Sequence, residues 1–396
     1  MSTVANHHRG TMHLLKGILI AAFVAVLAAP SWALTDRQVK EAVEDELDEV
    51  LTKDNRPGGA AVVVRIDGRT LFFNFGTATR GKVITSDTLF NLASLGKTFD
   101  TTLLSMAVLQ GELSLDDTVG QHVTELQDAG DVRNIRLDQL VSYTSGLSLP
   151  QDLPPWPDAF YDLPKFMQYL KTWKLPGDHE PGKTYIYSHA VYMLLHVVLE
   201  RRFGKSYAEL LNERLLGPLG LSSTILPTHR NAVAQLPPEL MRRVVQNHDE
   251  NGRRVGKPGN VQSFYQWPGT GQMFSSARDM GIFLAAQLGE LSEPDILPEA
   301  VALAHKPVAA TPSFTQALAW EVRPGALTMV DKNGALDNTS SYIGLAPDRR
   351  IGLVIMTNRG DQYVAKIGRR TLLRLGLPED VAIKELEALE RREEEQ

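Results

Sequence analysis

The chain has 396 residues, 43% of them hydrophobic, with 41 basic and 47 acidic side chains for a formal charge of −6, and no cysteine. That much apolar material supports a large core in one domain or two interleaved subdomains and excludes the disordered class. The acidic balance offers no basic footprint for nucleic acid, and the missing thiols exclude disulfides and thiolate metal sites.

At the amino end, an apolar run over 17–29 follows Lys16 and is closed by Ser31-Trp32-Ala33, small residues at the two places a signal peptidase reads. The expectation is a signal peptide over 1–33, cleavage after Ala33 and export to the periplasm. The alternative is a membrane anchor, but a span needs about 20 apolar residues and the run is shorter. Cleavage removes Arg9 and Lys16 and no acid, which takes the charge from −6 to −8. The mature chain is expected to carry no membrane span.

Residues 35–51 place Val39, Val43, Leu47 and Val50 at helical spacing before the break Asn55-Arg56-Pro57-Gly58-Gly59. Stretches 60–66 and 70–76 are apolar, β-branched and aromatic, and Asp67-Gly68 between them is a hairpin signal. A helix is predicted from Ser94 through Leu103, Leu104, Ala107 and Val108 to Gly111. From 113 to about 307 the pattern is helical and loop-rich, with 190–202 and 207–216 the clearest helices and Gly217-Pro218-Leu219-Gly220 closing the second. Strand signals return at 317–322, 327–332, 340–345 and 351–357, and a helix is predicted over 364–375. The charged tail 379–396 reads as a solvated or frayed terminal helix. Strands at both ends with helices between imply an α+β sandwich in the α/β class. Its antiparallel sheet is built from both termini, flanked by helices, and carries an inserted all-helical region.

Three short stretches carry chemistry. Ser94 and Lys97 sit three apart at a helix start, so hydroxyl and ammonium share a face and the helix dipole favours a developing alkoxide. Such a serine can be a nucleophile with the lysine as base or proton relay, although S-x-x-K is also the pattern of an ordinary helix start. Tyr187-Ser188-His189 follows Pro181-Gly182 and opens the helix at Ala190, presenting Tyr187 at a loop-to-helix junction. Lys332-Asn333-Gly334 ends one strand pattern shortly before another, where a sheet edge can face a cleft. Taken singly, Tyr187 reads as a packed surface tyrosine and Lys332 as a solvated strand lysine.

Together, in this order, the three stretches resemble the serine β-lactamase and penicillin-binding protein superfamily, specifically its class C branch, to which family VIII esterases and some DD-peptidases are similar. The resemblance runs from about Ala60 to Leu375. It includes Gly111-Glu112-Leu113, Tyr143-Thr144-Ser145-Gly146-Leu147, Pro218-Leu219-Gly220-Leu221 and Trp320-Glu321. It implies that Ser94 is acylated, that Lys97 and Tyr187 relay its proton with Lys332 beside them, and that Tyr187 activates the deacylating water. The same resemblance assigns the oxyanion to the N–H groups of Ser94 and Ala335, and contact with a substrate amide to Gln151. On it the chain divides into a signal peptide at 1–33, a β-lactamase-like serine hydrolase domain at 34–378 and the charged tail at 379–396.

Departures from the family pattern are also plain. His189 stands where class C has asparagine, and Asn333 where it has threonine, beside Gly334. Asp337 and Asn338 replace small residues, and Gly360 and Tyr363 replace the asparagines expected after the last strand, leaving Arg359 and Lys332 as candidates for a substrate carboxylate. His189 either donates the asparagine's hydrogen bond or, with Asp337, binds zinc as a modulator; no cofactor is required for the serine chemistry. The expected activity is opening of β-lactam rings by an exported monomer acting on a small-molecule substrate, a β-lactam or an ester. A family VIII-type esterase or DD-peptidase is the alternative, and a catalytically silent penicillin-binding or sensor module is the second.

Overall fold

The computed structural model describes residues 34–51, 57–149, 163–227, 236–258, 273–336, 338–360 and 364–394. Helix α1 (Asp36–Leu51) leads into strands β1 (Gly59–Ile66), β2 (Arg69–Thr79), β3 (Lys82–Val83) and β4 (Leu89–Asn91). A 3₁₀ turn (Ala93–Gly96) runs directly into α2 (Lys97–Leu109). The helical region follows: α3 (Val119–His122), α4 (Leu137–Val141), α5 (Leu163–Thr172), α6 (Ala190–Phe203), α7 (Tyr207–Leu211) and α8 (Pro238–Met241). Strand β5 (Phe274–Ser276) then leads to α9 (Ala277–Gln287) and α10 (Leu297–Ala304). The chain closes with β6 (Ala309–Ala310), β7 (Thr315–Gln316), β8 (Glu321–Arg323), β9 (Met329–Leu336), β10 (Thr339–Ala346), β11 (Ile351–Thr357), α11 (Val364–Gly376) and α12 (Glu379–Glu394).

The main sheet has nine strands in the order β3-β2-β1-β11-β10-β9-β8-β7-β6, and β4 pairs with β5 in a second, two-stranded sheet. Every pair in the main sheet is antiparallel, with Ala60 opposite Thr357 and Ser340 opposite Ala335. The sheet assembled from both chain ends is therefore present as expected. Strand β1 is buried on both faces, which explains a continuous apolar run where a one-sided strand would alternate. Val62 and Val64 join Val39, Val43, Leu47, Leu353, Ile355 and Leu372 in the core under α1, α11 and α12. Ala61 and Val63 face the larger core with Phe99, Leu103, Phe283 and Leu284.

Helix α2 lies within that larger core and is buried from Lys97 to Ala107. Several of its buried polar groups are hydrogen-bonded: Thr98 Oγ1 donates to Leu95 O at 2.8 Å and Thr102 Oγ1 to Thr98 O at 2.8 Å, while Asp100 accepts from the Tyr207 hydroxyl of α7.

Three predicted elements differ. The single strand expected at 317–322 is a reversal between β7 and β8, with Ala319 at φ +66° and Ala317 N–H bonded to Trp320 O at 2.8 Å. Because Ala317, Leu318, Ala319 and Trp320 are all buried, this turn is written in apolar residues and carries no turn signal. The helix expected over 207–216 widens after Leu211 into a π turn, Asn212–Leu216, whose Gly217 N–H bonds Asn212 O at 2.8 Å. The tail is less solvated than expected, since α12 buries Ala382 and Leu389 in the core it shares with α11.

Candidate active site

The nucleophile candidate is built by the turn between β4 and α2. Asn91 Oδ1 accepts the Ala93 N–H at 2.7 Å, and Ala93 takes a left-handed conformation with φ +48°, a strained state for a non-glycine residue. Leu92 is held from both sides: its N–H donates to Met273 O at 2.8 Å and its carbonyl accepts from Ser341 Oγ at 2.5 Å. Ser94 falls in the 3₁₀ turn, ahead of the α-helix predicted to contain it. With three residues per turn, positions i and i+3 eclipse, so Lys97 still reaches back and its Nζ donates to Ser94 Oγ at 3.0 Å.

Tyr187 arrives from the loop before α6. Ile186 N–H donates to Tyr143 O at 2.9 Å and Gly182 N–H to Thr144 O at 2.9 Å, which ties this loop to the turn at 143–146, where Tyr143 has φ +58°. The Tyr187 hydroxyl lies 2.8 Å from Ser94 Oγ. Lys97 Nζ sits 5.7 Å from the Tyr187 ring centre and Lys332 Nζ 5.1 Å, so one tyrosine stands between two cations. Burial alone would raise the Tyr187 pKa; the charges of Lys97 and Lys332, with hydrogen bonds from Ser94 and Lys97, outweigh it and hold the phenol below its ordinary value.

Lys332 is delivered by β9. Pairing with β8 covers only Met329, Val330 and Asp331, so from Lys332 onward that edge of β9 is open toward the 3₁₀ turn. Gly334 is required there, because a Cβ would come within 2.5 Å of Leu92 O and 2.8 Å of Ser94 N. Asn333 is part-buried and Ala335 exposed on the same strand.

The structure thus brings Ser94, Lys97, Tyr187 and Lys332 together, with Gly334 beside them. His189 is part-buried, its ring edge-on to Tyr187 at 5.5 Å. Among the described residues no group of three or more His, Cys, Asp or Glu side chains could hold a metal ion. Gln151, Asp337 and Tyr363 lie outside the described residues. Arg359 is 1% exposed, and its methylenes lie beside Gly58 at the head of β1.

Sequence reasoning did not select Tyr143 or Glu321 as site residues. The Tyr143 ring lies 4.8 Å from that of Tyr187 and 5.7 Å from Lys332 Nζ, and Glu321 Oε1 is 3.8 Å from the same nitrogen. Both lie in motifs that carried the resemblance, which was the available signal.

A family model described as Beta-lactamase matches residues 36–377, and the chain belongs to the β-lactamase family. The β-lactamase of Psychrobacter immobilis is 24% identical over 386 residues, covering 89% of this chain and 91% of that protein. The β-lactamase of Yersinia enterocolitica is 26% identical over 363 residues, covering 82% and 88%. Among solved structures, a class C β-lactamase aligns with a TM-score of 0.73 at 23% identity over 85% of this chain and 96% of that one. A D-alanine carboxypeptidase of Burkholderia cenocepacia aligns with a TM-score of 0.73 at 24% identity over 85% and 99%. At these identities the structural likeness shows the fold, which is that of the class C enzymes.

Proposed function

We propose that this chain is an exported serine hydrolase that opens β-lactam rings through an acyl-enzyme on Ser94. It acts as a class C-like β-lactamase and a monomer, on a small substrate, with no required cofactor. The observation that carries this reading is the double approach to Ser94 Oγ, from Tyr187 at 2.8 Å and Lys97 at 3.0 Å. Ser94 Oγ attacks the lactam carbonyl carbon while its proton passes to the Tyr187–Lys97 pair. The carbonyl oxygen becomes an oxyanion between the N–H groups of Ser94 and Ala335. As the C–N bond breaks, the proton returns to the departing nitrogen. Tyr187, again deprotonated, then takes a proton from a water whose oxygen attacks the acyl carbon, and the proton passes to Ser94 Oγ as the C–Oγ bond breaks and the acid is released.

His189 is assigned the hydrogen-bond role toward the substrate, with Asn333 and Gly334 lining the other side and Gln151 contacting the substrate amide. The changed residues around the carboxylate position weaken recognition of anionic substrates, where each charge-assisted hydrogen bond is worth about 1.5 to 3 kcal/mol, so a narrow spectrum is expected. Residues 1–33 are assigned to a signal peptide, 34–378 to the hydrolase domain and 379–396 to a helical tail; the secreted product is placed in the periplasm. A D-alanyl peptidase or esterase is the second reading, favoured by the D-alanine carboxypeptidase among the structural neighbours and by His189 in place of the class C asparagine.

Mass spectrometry after incubation with a slowly released β-lactam should find the adduct on Ser94 and none in Ser94→Ala. Steady-state rates on a chromogenic cephalosporin and on a short p-nitrophenyl ester then rank the readings; higher efficiency on the ester than on every β-lactam selects the second. Chelator and added zinc should leave the rates of wild type and His189→Asn unchanged.

A further inference from the structure

A buried ion network lies behind Lys332, on the opposite side of the sheet from Ser94. Asp331 is fully buried, and as the neighbour of Lys332 on a strand it points to the other face, toward α11. Its Oδ2 accepts from Arg369 Nε at 2.6 Å and from the Tyr342 hydroxyl at 3.2 Å, and its Oδ1 accepts from Arg323 Nε at 3.3 Å. Glu321 stands directly across from Asp331 as the first residue of β8. Because the sheet edge is open beyond that point, its carboxylate reaches around the edge. Oε2 stays with Arg323 and lies 3.7 Å from an Arg369 nitrogen, while Oε1 lies 3.8 Å from Lys332 Nζ. One carboxylate thus joins a charge cluster on the helix face to the lysine on the catalytic face.

We propose that Glu321, Asp331, Arg323 and Arg369 are positioning residues that fix the place of Lys332 and set the net charge presented to Tyr187. The inference rests on the reading that Tyr187 takes the proton of Ser94. Among the described residues the network joins three cations, Lys332, Arg323 and Arg369, to two carboxylates. Burial would favour a neutral Asp331, but Arg369 and Arg323 beside it keep its carboxyl below the ordinary range, so its charge counts. The charge of the network reaches Tyr187 through Lys332, whose Nζ sits between the rings of Tyr187 and Tyr143. The other groups facing Tyr187 are Lys97 and Ser94 from the α2 side, Tyr192 from α6, and Tyr185 and His189 on its own segment.

Two substitutions on the far side of the sheet separate charge from packing. Arg369→Met removes one positive charge from the network, and Asp331→Asn removes one negative charge. In the kcat/KM profile against pH, the acid limb of Arg369→Met should move up and that of Asp331→Asn down, each by about 0.5 to 1 pH unit for a buried charge at this range. Arg369→Lys, which keeps the charge and loses the fork, should leave the limb near its wild-type position. If Arg369→Met does not fold, Arg323→Met carries the same sign. Limbs that stay in place, or move the same way in both variants, overturn the proposal. Labelling of wild-type Ser94 is run alongside: absence of the acyl adduct defeats the functional reading itself, whereas a labelled Ser94 with unmoved limbs defeats the network proposal alone.

Discussion

Tyr187 and Lys97 both point at one oxygen, and the protonation of that trio decides whether Ser94 can be deprotonated. For Tyr187 to act as base it must have lost its own proton, so kcat/KM falls as pH drops through a pKa that the two lysines hold below the ordinary phenol value. Lys332→Gln removes one of those cations, and the acid limb should then shift to higher pH. Tyr187→Phe and Lys97→Ala should each slow acylation by about 10²- to 10⁴-fold, the usual contribution of positioned proton transfer; stopped-flow acylation rates check both. Ser94 and Lys97 were legible because their relation is local, three residues apart. The surroundings of Arg359 were not legible, because they are set by Gly58, far away in sequence.

At the scale of elements, the approach of β9 to the 3₁₀ turn depends on Gly334. Gly334→Ala places a methyl against Leu92 O and Ser94 N, backbone atoms with no cheap way to give. A displacement of about 1 Å there costs on the order of 10²-fold, so kcat/KM should fall by that much or more while the circular dichroism spectrum stays native. Helix α12 offers the contrary case. Leu389 is 5% exposed against the core under α11, and Arg370 and Lys366 reach Glu390 at 3.3 and 3.1 Å. Leu389→Ala should cost about 2 kcal/mol in urea unfolding and leave the turnover of folded protein unchanged. Long periodic elements were readable: β11 and α6 fall within a residue of expectation. The two-residue strands and the buried turn at 317–320 were not, since neither periodicity nor turn residues mark them.

For the molecule as a whole, acid stability turns on groups that have no part in the chemistry. His305 donates from Nε2 to Gln287 Oε1 at 3.1 Å and meets the Trp320 ring edge-on, and burial pushes its pKa down to about 3. The unfolded chain binds a proton at this histidine near pH 6.5, so the stability it contributes is full above that value. That stability is lost progressively as pH falls toward 3. Calorimetry from pH 7 to 3.5 should show a falling Tm, with a shallower slope in His305→Asn.

The pairing of Ala60 with Thr357 places the first and last long strands side by side, so nearly 300 residues must be synthesised before β1, already paired with β2, can meet its other partner β11. Such long-range closure is slow to form. A nascent chain ending before β10 and β11 lacks the centre of its own sheet and should stay protease-sensitive however long it waits. For a polypeptide proposed to be threaded unfolded through a membrane channel, the order of its strands in the gene itself postpones folding until the carboxyl end has emerged.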